Sequence, residues 1–292
     1  MMKHSTPIPQ QAEDFPFEFS EAAFARIRQI LRERRNFDIG SYKDKYMKRR
    51  IAIRVRATHA VSATVYSELL AGSERELDAL LKGLTIHVSH FFRNRSTFGR
   101  IRDEVLPALF ARLHREGRAE ATFWSVGCSS GEEPYSLAIL LKDSFPEELN
   151  RLKISVVATD INEGILDAAR RGGYPPDRLH ETPPEVVTRH FTANGGKFHL
   201  APDIRSMVAF RRGDLFDYAS YLASDLILCR NVLIYFEREE QERILMGLAA
   251  SLPAGGILVL GKAETLVGES RRRFVTVCPV ERIYQKNRLS LY

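Results

Sequence analysis

The spacing of apolar residues alone predicts four amphipathic helices in the first third of the chain. Phe24, Ile27, Ile30 and Leu31 fall on one helical face, and Ser20 stands where an N-cap belongs, so a helix is expected through about Arg35. After a turn around residues 38–41, Tyr46, Met47, Ile51 and Val55 draw a second stripe. A third helix opens near Ser62. The fourth opens at Ser73-Glu74-Arg75-Glu76, with serine and glutamate at capping-box spacing, and turns Leu77, Leu80, Leu81 and Leu84 inward. Residues 15–84 are thus expected to form an all-helical unit, behind a lead-in through about residue 18 that is expected to be disordered.

Thr85 breaks the helical repeat, and residues 85–95 read as a linker that contributes to a site. From Ser96 the repeat resumes through Leu113, with Phe98, Ile101, Val105, Leu109 and Phe110 inward. The pattern then changes kind. Phe123, Trp124 and Val126 form an apolar run that stops at the small residues from Gly127 to Gly131, and Leu137, Ala138, Leu140 and Leu141 follow on one helical face. This is strand, glycine loop and helix, the unit of a parallel α/β sheet. A second strand, Ile154 to Thr159, closes in Asp160, and Asn162 can cap the helix that ends before Gly172-Gly173. The stretch from Tyr174 to Phe210 has little helical signal and short alternations, which predict a small antiparallel insertion at about 174–210. Asp225 to Cys229 is a buried strand that ends in Arg230 and Asn231. A helix over 238–252, a strand over 257–260 and a closing antiparallel pair, 274–278 with 282–285, complete residues 96–292. The class is α/β, a doubly wound Rossmann-like sheet.

Glycines at the end of a strand let a ligand approach the backbone, where N–H groups of the next helix face it. The spacing Gly127-x-x-x-Gly131 differs from that of dinucleotide binders, and Glu132 and Glu133 stand where a pyrophosphate would be repelled. A cationic cofactor without phosphates, such as S-adenosylmethionine, suits the loop. A tight turn with solvated acids is its other reading. Asp160, ending the second strand, is placed to grip ribose hydroxyls or simply to start the next helix.

Composition changes this picture at one place. With 44% apolar and 27% charged residues in 292, the chain is that of a soluble protein with no membrane span, read as cytoplasmic. Its three cysteines are scattered and no histidines sit at metal-ligand spacing, so neither disulfide nor metal is expected. The net charge of +6 is concentrated between Lys43 and Arg56, where Lys43, Lys45, Lys48, Arg49, Arg50, Arg54 and Arg56 face one acid, Asp44. That helix is either a solvated face or a docking surface for an acidic partner, and the imbalance favours docking through Lys48, Arg49, Arg50, Arg54 and Arg56.

Several motifs in one order resemble the chemotaxis receptor methyltransferase family. They are Tyr46-Met47-Lys48-Arg49-Arg50-Ile51, Phe91-Phe92-Arg93, Gly131-Glu132-Glu133-Pro134-Tyr135-Ser136, Ala158-Thr159-Asp160-Ile161, Cys229-Arg230-Asn231-Val232-Leu233-Ile234-Tyr235-Phe236 and Gly261-Lys262-Ala263-Glu264. The resemblance implies an S-adenosylmethionine-dependent enzyme that esterifies glutamates on the cytoplasmic helical bundle of chemoreceptors and releases S-adenosylhomocysteine, expected as a monomer. It implies cofactor contacts at His87, Ser89, Arg93, Gly127, Glu133, Asp160, Asp214, Leu215, Arg230 and Asn231, with Arg93 and Tyr235 acting on the nucleophile. His87, Ser89 and Asp214 stand where the family usually has asparagine, threonine and asparagine. Nucleic-acid methylation is not expected, because Asn231-Val232-Leu233-Ile234 replaces the Asp/Asn-Pro-Pro-Tyr element of amino-directed enzymes. A catalytically silent cofactor-binding or scaffolding module is the alternative, against which Gly131, Glu133, Asp160, Arg93 and Tyr235 are all retained.

Overall fold

In a computed structural model that describes residues 19–84 and 89–287, the chain divides into one unit ending at Thr85 and another beginning at Ile86. The first unit holds α1 (Glu21–Arg35), α2 (Asp44–Ala57), α3 (Ala63–Gly72) and α4 (Glu74–Leu84). Ser20 Oγ accepts from the Ala23 N–H and Ser62 Oγ from the Val65 N–H, satisfying donors that a first helical turn leaves open. The predicted stripes are buried where α1 packs on α3 and α2 on α4, with Tyr46 and Leu81 half-buried at their edges.

Only half of the expected capping box forms. Ser73 Oγ accepts from the Glu76 N–H, but the Glu76 carboxylate turns inward to Tyr66 Oη at 2.8 Å and to Arg54 Nε and Nη2 at 2.9 and 2.6 Å. A buried carboxylate is better satisfied by a two-pronged guanidinium than by one main-chain N–H. Arg54, read as part of the docking surface, therefore serves the interior of its own unit. Lys48 also has an internal partner, Glu21 at 2.8 Å. Lys45, Arg49 and Arg56 are exposed, and the Arg50 guanidinium lies 5.6 Å from the centre of the Tyr46 ring.

The second unit begins with α5 (Arg95–Arg100), which passes through one wide turn, Ile101–Val105, into α6 (Leu106–Arg115). Pro107 lacks an N–H and crowds the carbonyl one turn back, which is where the ladder widens. β1 (Glu120–Val126) leads to α7 (Glu132–Ser144), then α8 (Pro146–Arg151), β2 (Lys153–Asp160) and α9 (Glu163–Arg171). Next come β3 (Gly173–Tyr174), α10 (Pro184–His190), β4 (Phe191–Asn194), β5 (Lys197–Leu200) and α11 (Pro202–Arg205). The chain closes with β6 (Val208–Arg212), β7 (Leu226–Cys229), α12 (Arg238–Ser251), β8 (Ile257–Leu260), β9 (Phe274–Cys278) and β10 (Ile283–Lys286).

Seven strands form the main sheet in the order β6-β2-β1-β7-β8-β10-β9, and β3, β5 and β4 form a small antiparallel sheet. The five strands from β6 to β8 are parallel, and β10 runs antiparallel between β8 and β9. Every residue of β7 and β8 is buried, as expected of central parallel strands covered on both faces. The chain winds from β1 to β2 and β6, then crosses to β7 and winds the other way. Strand order thus reverses between β1 and β7, the place where open α/β sheets bind ligands at the carboxyl ends of their strands.

One strand lies elsewhere than expected. The alternation at residues 207–210 predicts a place in the antiparallel insertion, but Val208 pairs with Val156 and Phe210 with Ala158, at the edge of the main sheet. Alternation reports one buried face and does not say against which sheet. Among the described residues no helix is long and apolar enough to cross a membrane.

Candidate functional site

Two loops meet at the strand-order reversal. In the loop after β1, Gly127, Ser129 and Gly131 all have positive φ (64°, 53° and 91°). A Cβ on Gly127 would lie 2.6 Å from Val232 Cγ2, so this glycine is what lets the β1 loop close against the loop after β7. Asp160 shapes the first loop from the end of β2. Its two oxygens accept from the Ser129 N–H at 2.9 Å and the Asn162 N–H at 3.0 Å. Tyr174 of the small sheet adds a hydrogen bond from its hydroxyl to Ser130 O at 2.8 Å.

The two glutamates that open α7 have different surroundings. Glu132 is fully buried, accepts from Ser130 Oγ, and has Arg178 at 3.6 Å, so it is neither a solvated acid nor part of the pocket. Burial pushes its carboxyl above the ordinary value. Glu133 faces the pocket, accepting from Ser125 Oγ at 2.8 Å and from Arg230 Nη1 at 3.2 Å. Burial raises its carboxyl too, with Arg230 opposing.

Arg230 joins three elements. Besides Glu133, it donates from Nη2 to Arg93 O at 2.7 Å and to Asn94 Oδ1 at 2.8 Å, and its guanidinium sits 5.5 Å from the centre of the Phe98 ring. The 89–95 segment is thereby held to the end of β7. Arg178 secures the same segment from the other side, donating to Ser89 O and accepting from the Phe91 N–H at 2.9 Å.

The loop after β7 is shaped by a residue whose motif the sequence shows but whose role it did not suggest. Glu264 is buried and accepts from five main-chain N–H groups: Gly261 (2.6 Å), Asn231 (2.9 Å), Val232 (2.8 Å), Leu233 (2.7 Å) and Ile234 (3.3 Å). Burial pushes its carboxyl up and those donors oppose the shift. The grip holds Asn231 at φ 61° and starts the tight turn Leu233–Tyr235. The signal that singled out Asp160 was an acid ending a strand; Glu264 follows buried β8 by four residues, and the same search extended past the strand end would have reached it.

A pocket between the loops is lined by Ser89, Arg93, Gly127, Glu133, Arg230, Asn231 and Tyr235, all expected, and by His90, Phe98, Cys128 and Ser129, which were not. Asp160 is not among these lining residues and meets them through its bond from the Ser129 N–H. Asp214 and Leu215 follow β6, where Gly213 donates to Asp160 O at 3.0 Å. They do not line the pocket: the Asp214 carboxylate accepts from the Phe216 N–H at 2.9 Å and Leu215 O from Tyr221 Oη at 2.7 Å. His87 lies outside the described residues.

The donor set fits S-adenosylmethionine. Ser129 Oγ, Asn231 Oδ1 and Arg230 Nε are buried without a hydrogen-bond partner among the described residues. Each such atom costs about 1–3 kcal/mol unless a ligand completes it. A ligand carrying ammonium, carboxylate and hydroxyl groups supplies complementary atoms for all three.

Two family models match the chain: the CheR methyltransferase all-alpha domain over residues 22–85 and the CheR methyltransferase SAM binding domain over residues 87–281. The chemotaxis protein methyltransferase of Listeria monocytogenes is 32% identical over 247 residues, covering 85% of this chain and 91% of that protein. Chemotaxis protein methyltransferase 2 of Pseudomonas aeruginosa is 31% identical over 275 residues, covering 92% and 95%. A 104.1 kDa protein of Rhodobacter capsulatus is 32% identical over 245 residues, 84% of this chain but 26% of that protein's length.

Proposed function

This chain belongs to the CheR methyltransferase family, and on that premise we propose that it methylates glutamate side chains on the cytoplasmic helical bundle of chemoreceptors, acting as a monomer in the cytoplasm. The observation that supports this most is the pocket at the β1/β7 reversal, walled by residues of the shared motifs and carrying three unpartnered buried polar atoms. No observation favours a catalytically silent module.

S-adenosylmethionine, when bound, supplies a methyl group made electrophilic by its positively charged sulfur. Asn231 Oδ1 and Ser129 Oγ would take hydrogens of its ammonium and hydroxyl groups, and Glu133 adds negative charge on the same wall. Asp160 would receive a ribose hydroxyl, since a carboxylate has about four acceptor sites and two are in use. His87, Asp214 and Leu215 are proposed contacts on the family resemblance alone.

A glutamate carboxylate has an ordinary pKa of about 4.3 and is already ionised at neutral pH. No base is needed, and catalysis is a matter of positioning and water exclusion. Arg93 attracts and aligns the incoming carboxylate, and Tyr235 orients its oxygen by a hydrogen bond. Arg230 acts through Arg93, by holding the 89–95 segment to the end of β7. Docking of the acidic receptor bundle is assigned to α2, chiefly to Arg49, Arg50 and Arg56.

The test is incubation with methyl-labelled S-adenosylmethionine and receptor-bearing membranes. Label in the receptor band that is released as methanol by mild base is the expected result. Absence of label, or a base-stable label, would refute glutamate esterification.

A further inference from the structure

Beside the pocket, the fold brings His90 against two adjacent metal-ligand side chains about ninety positions further along the chain, His180 and Glu181. His90 Nε2 lies 2.9 Å from Glu181 Oε1, His180 Nε2 lies 3.9 Å from the same oxygen, and the two imidazole centres are 4.4 Å apart. We propose that His90, His180 and Glu181 form a binding site for one divalent transition-metal ion of the zinc class.

The hydrogen bonds around the cluster orient these groups as ligands. His180 Nδ1 is 2.7 Å from Asp177 O. A carbonyl can only accept, so Nδ1 donates there, and Nε2, 3.9 Å from Glu181 Oε1 and beyond hydrogen-bond reach of it, is the ring nitrogen left to ligate. Glu181 Oε2 accepts from the Asn94 N–H at 2.7 Å, which leaves Oε1 for the shared position. Histidines and carboxylates that hold metals are typically fixed by such outer bonds.

The spacing suits an ion of this size. The three ligand atoms lie within 4.8 Å of one another, and around a tetrahedral zinc they would be roughly 3.3 Å apart. A small rotation of the exposed His180 ring closes the difference. The ion replaces the hydrogen bond between His90 Nε2 and Glu181 Oε1, any proton on Nε2 passing to solvent, and water fills the fourth position. Two imidazoles with one carboxylate select zinc-like ions over magnesium or calcium, which take oxygen ligands. The bound ion would tie the 89–95 segment, which carries Arg93, to the turn at 177–181. It would stabilise the placement of that segment and take no part in the methyl transfer.

The experiment uses the full chain, freed of any histidine tag and of metal, titrated calorimetrically with zinc chloride. One zinc per chain at micromolar or lower Kd is expected, with a rise in Tm that grows with zinc concentration. Cobalt should give the visible absorption of a four-coordinate site, and millimolar magnesium should not compete. His180→Gln, an exposed substitution, should weaken zinc at least tenfold while leaving affinity for S-adenosylmethionine unchanged, and His90→Gln should weaken zinc similarly. No zinc binding by the wild-type chain, unchanged binding in both variants, or effective competition by magnesium would overturn the assignment.

Discussion

Glu264 accepts from five main-chain N–H groups and is not among the residues that line the pocket. Replacing it with glutamine exchanges one acceptor oxygen for an NH2 that faces N–H donors, leaving buried donors unpaired at about 1–3 kcal/mol each. Glu264→Gln is expected to keep the fold by circular dichroism yet lower kcat/KM at least tenfold, through displacement of Arg230, Asn231 and Tyr235. Wild-type kinetics would mean that the loop keeps its shape without the carboxylate. Asp160→Ala removes the matching clamp on the β1 loop and a proposed ribose contact. Calorimetry should show cofactor affinity weakened by roughly 1.5–3 kcal/mol, the range for losing a charged hydrogen bond, and unchanged affinity would exclude that contact. Asp160 was visible in the sequence as the polar end of an apolar strand, and Glu264 only as the last residue of a shared motif. What the sequence withheld was their hydrogen-bond partners, because Ser129 and Asn231 reach them through main-chain N–H groups that every residue except proline carries.

At the level of elements, the helical stripes and the apolar runs of β1, β2, β7 and β8 were legible because each is a local periodicity with one burial solution. The glycine turn was legible because positive φ and close packing demand residues without a Cβ. Residues 207–210 and the capping box at Ser73 were misjudged for a shared reason: a local signal names the type of contact, and a distant residue, Val156 or Arg54, decides whether it is made. The same distinction refines the docking test on α2. Arg54→Glu would set a second acid against Glu76 and Tyr66 and destabilise the helical unit, by about 1–3 kcal/mol as a first measure, which urea unfolding would register. Reversal of Arg49, Arg50 and Arg56 to glutamate leaves the Arg54–Glu76 pair in place. The triple variant is expected to raise KM for receptor severalfold and leave cofactor affinity alone, and added salt should imitate it in the wild type by screening. Equal receptor methylation by both proteins at low salt would show that α2 is a solvated face.

Across the sheet unit as a whole, Glu132, Glu133 and Glu264 all have carboxyls raised above their ordinary value, with burial the leading cause. An acid with a raised folded-state pKa binds its proton more tightly folded than unfolded. Its contribution to stability is present at low pH and is lost as pH climbs from the unfolded value through the folded one. Glu132 isolates the effect, since it lies outside the pocket and glutamine can still accept from Ser130 Oγ. Glu132→Gln should therefore be more stable than wild type at about pH 8 and lose that advantage toward about pH 5. A stability difference that does not vary with pH would show that Glu132 titrates alike in both states.

Both walls of the pocket take their form from carboxylates that grip the main chain, Asp160 at Ser129 and Glu264 at positions 231–234. A loop held by its amide groups keeps its path when its side chains are exchanged, so long as the positive-φ positions remain glycine, serine or asparagine-like. Ser129 and Asn231, which line the pocket at positive φ, are accordingly the positions where exchange among serine, asparagine and aspartate could vary its acceptor groups without moving the loops. The sheet, and the two acids that brace its mouth, would serve as an unchanging mould for each variant.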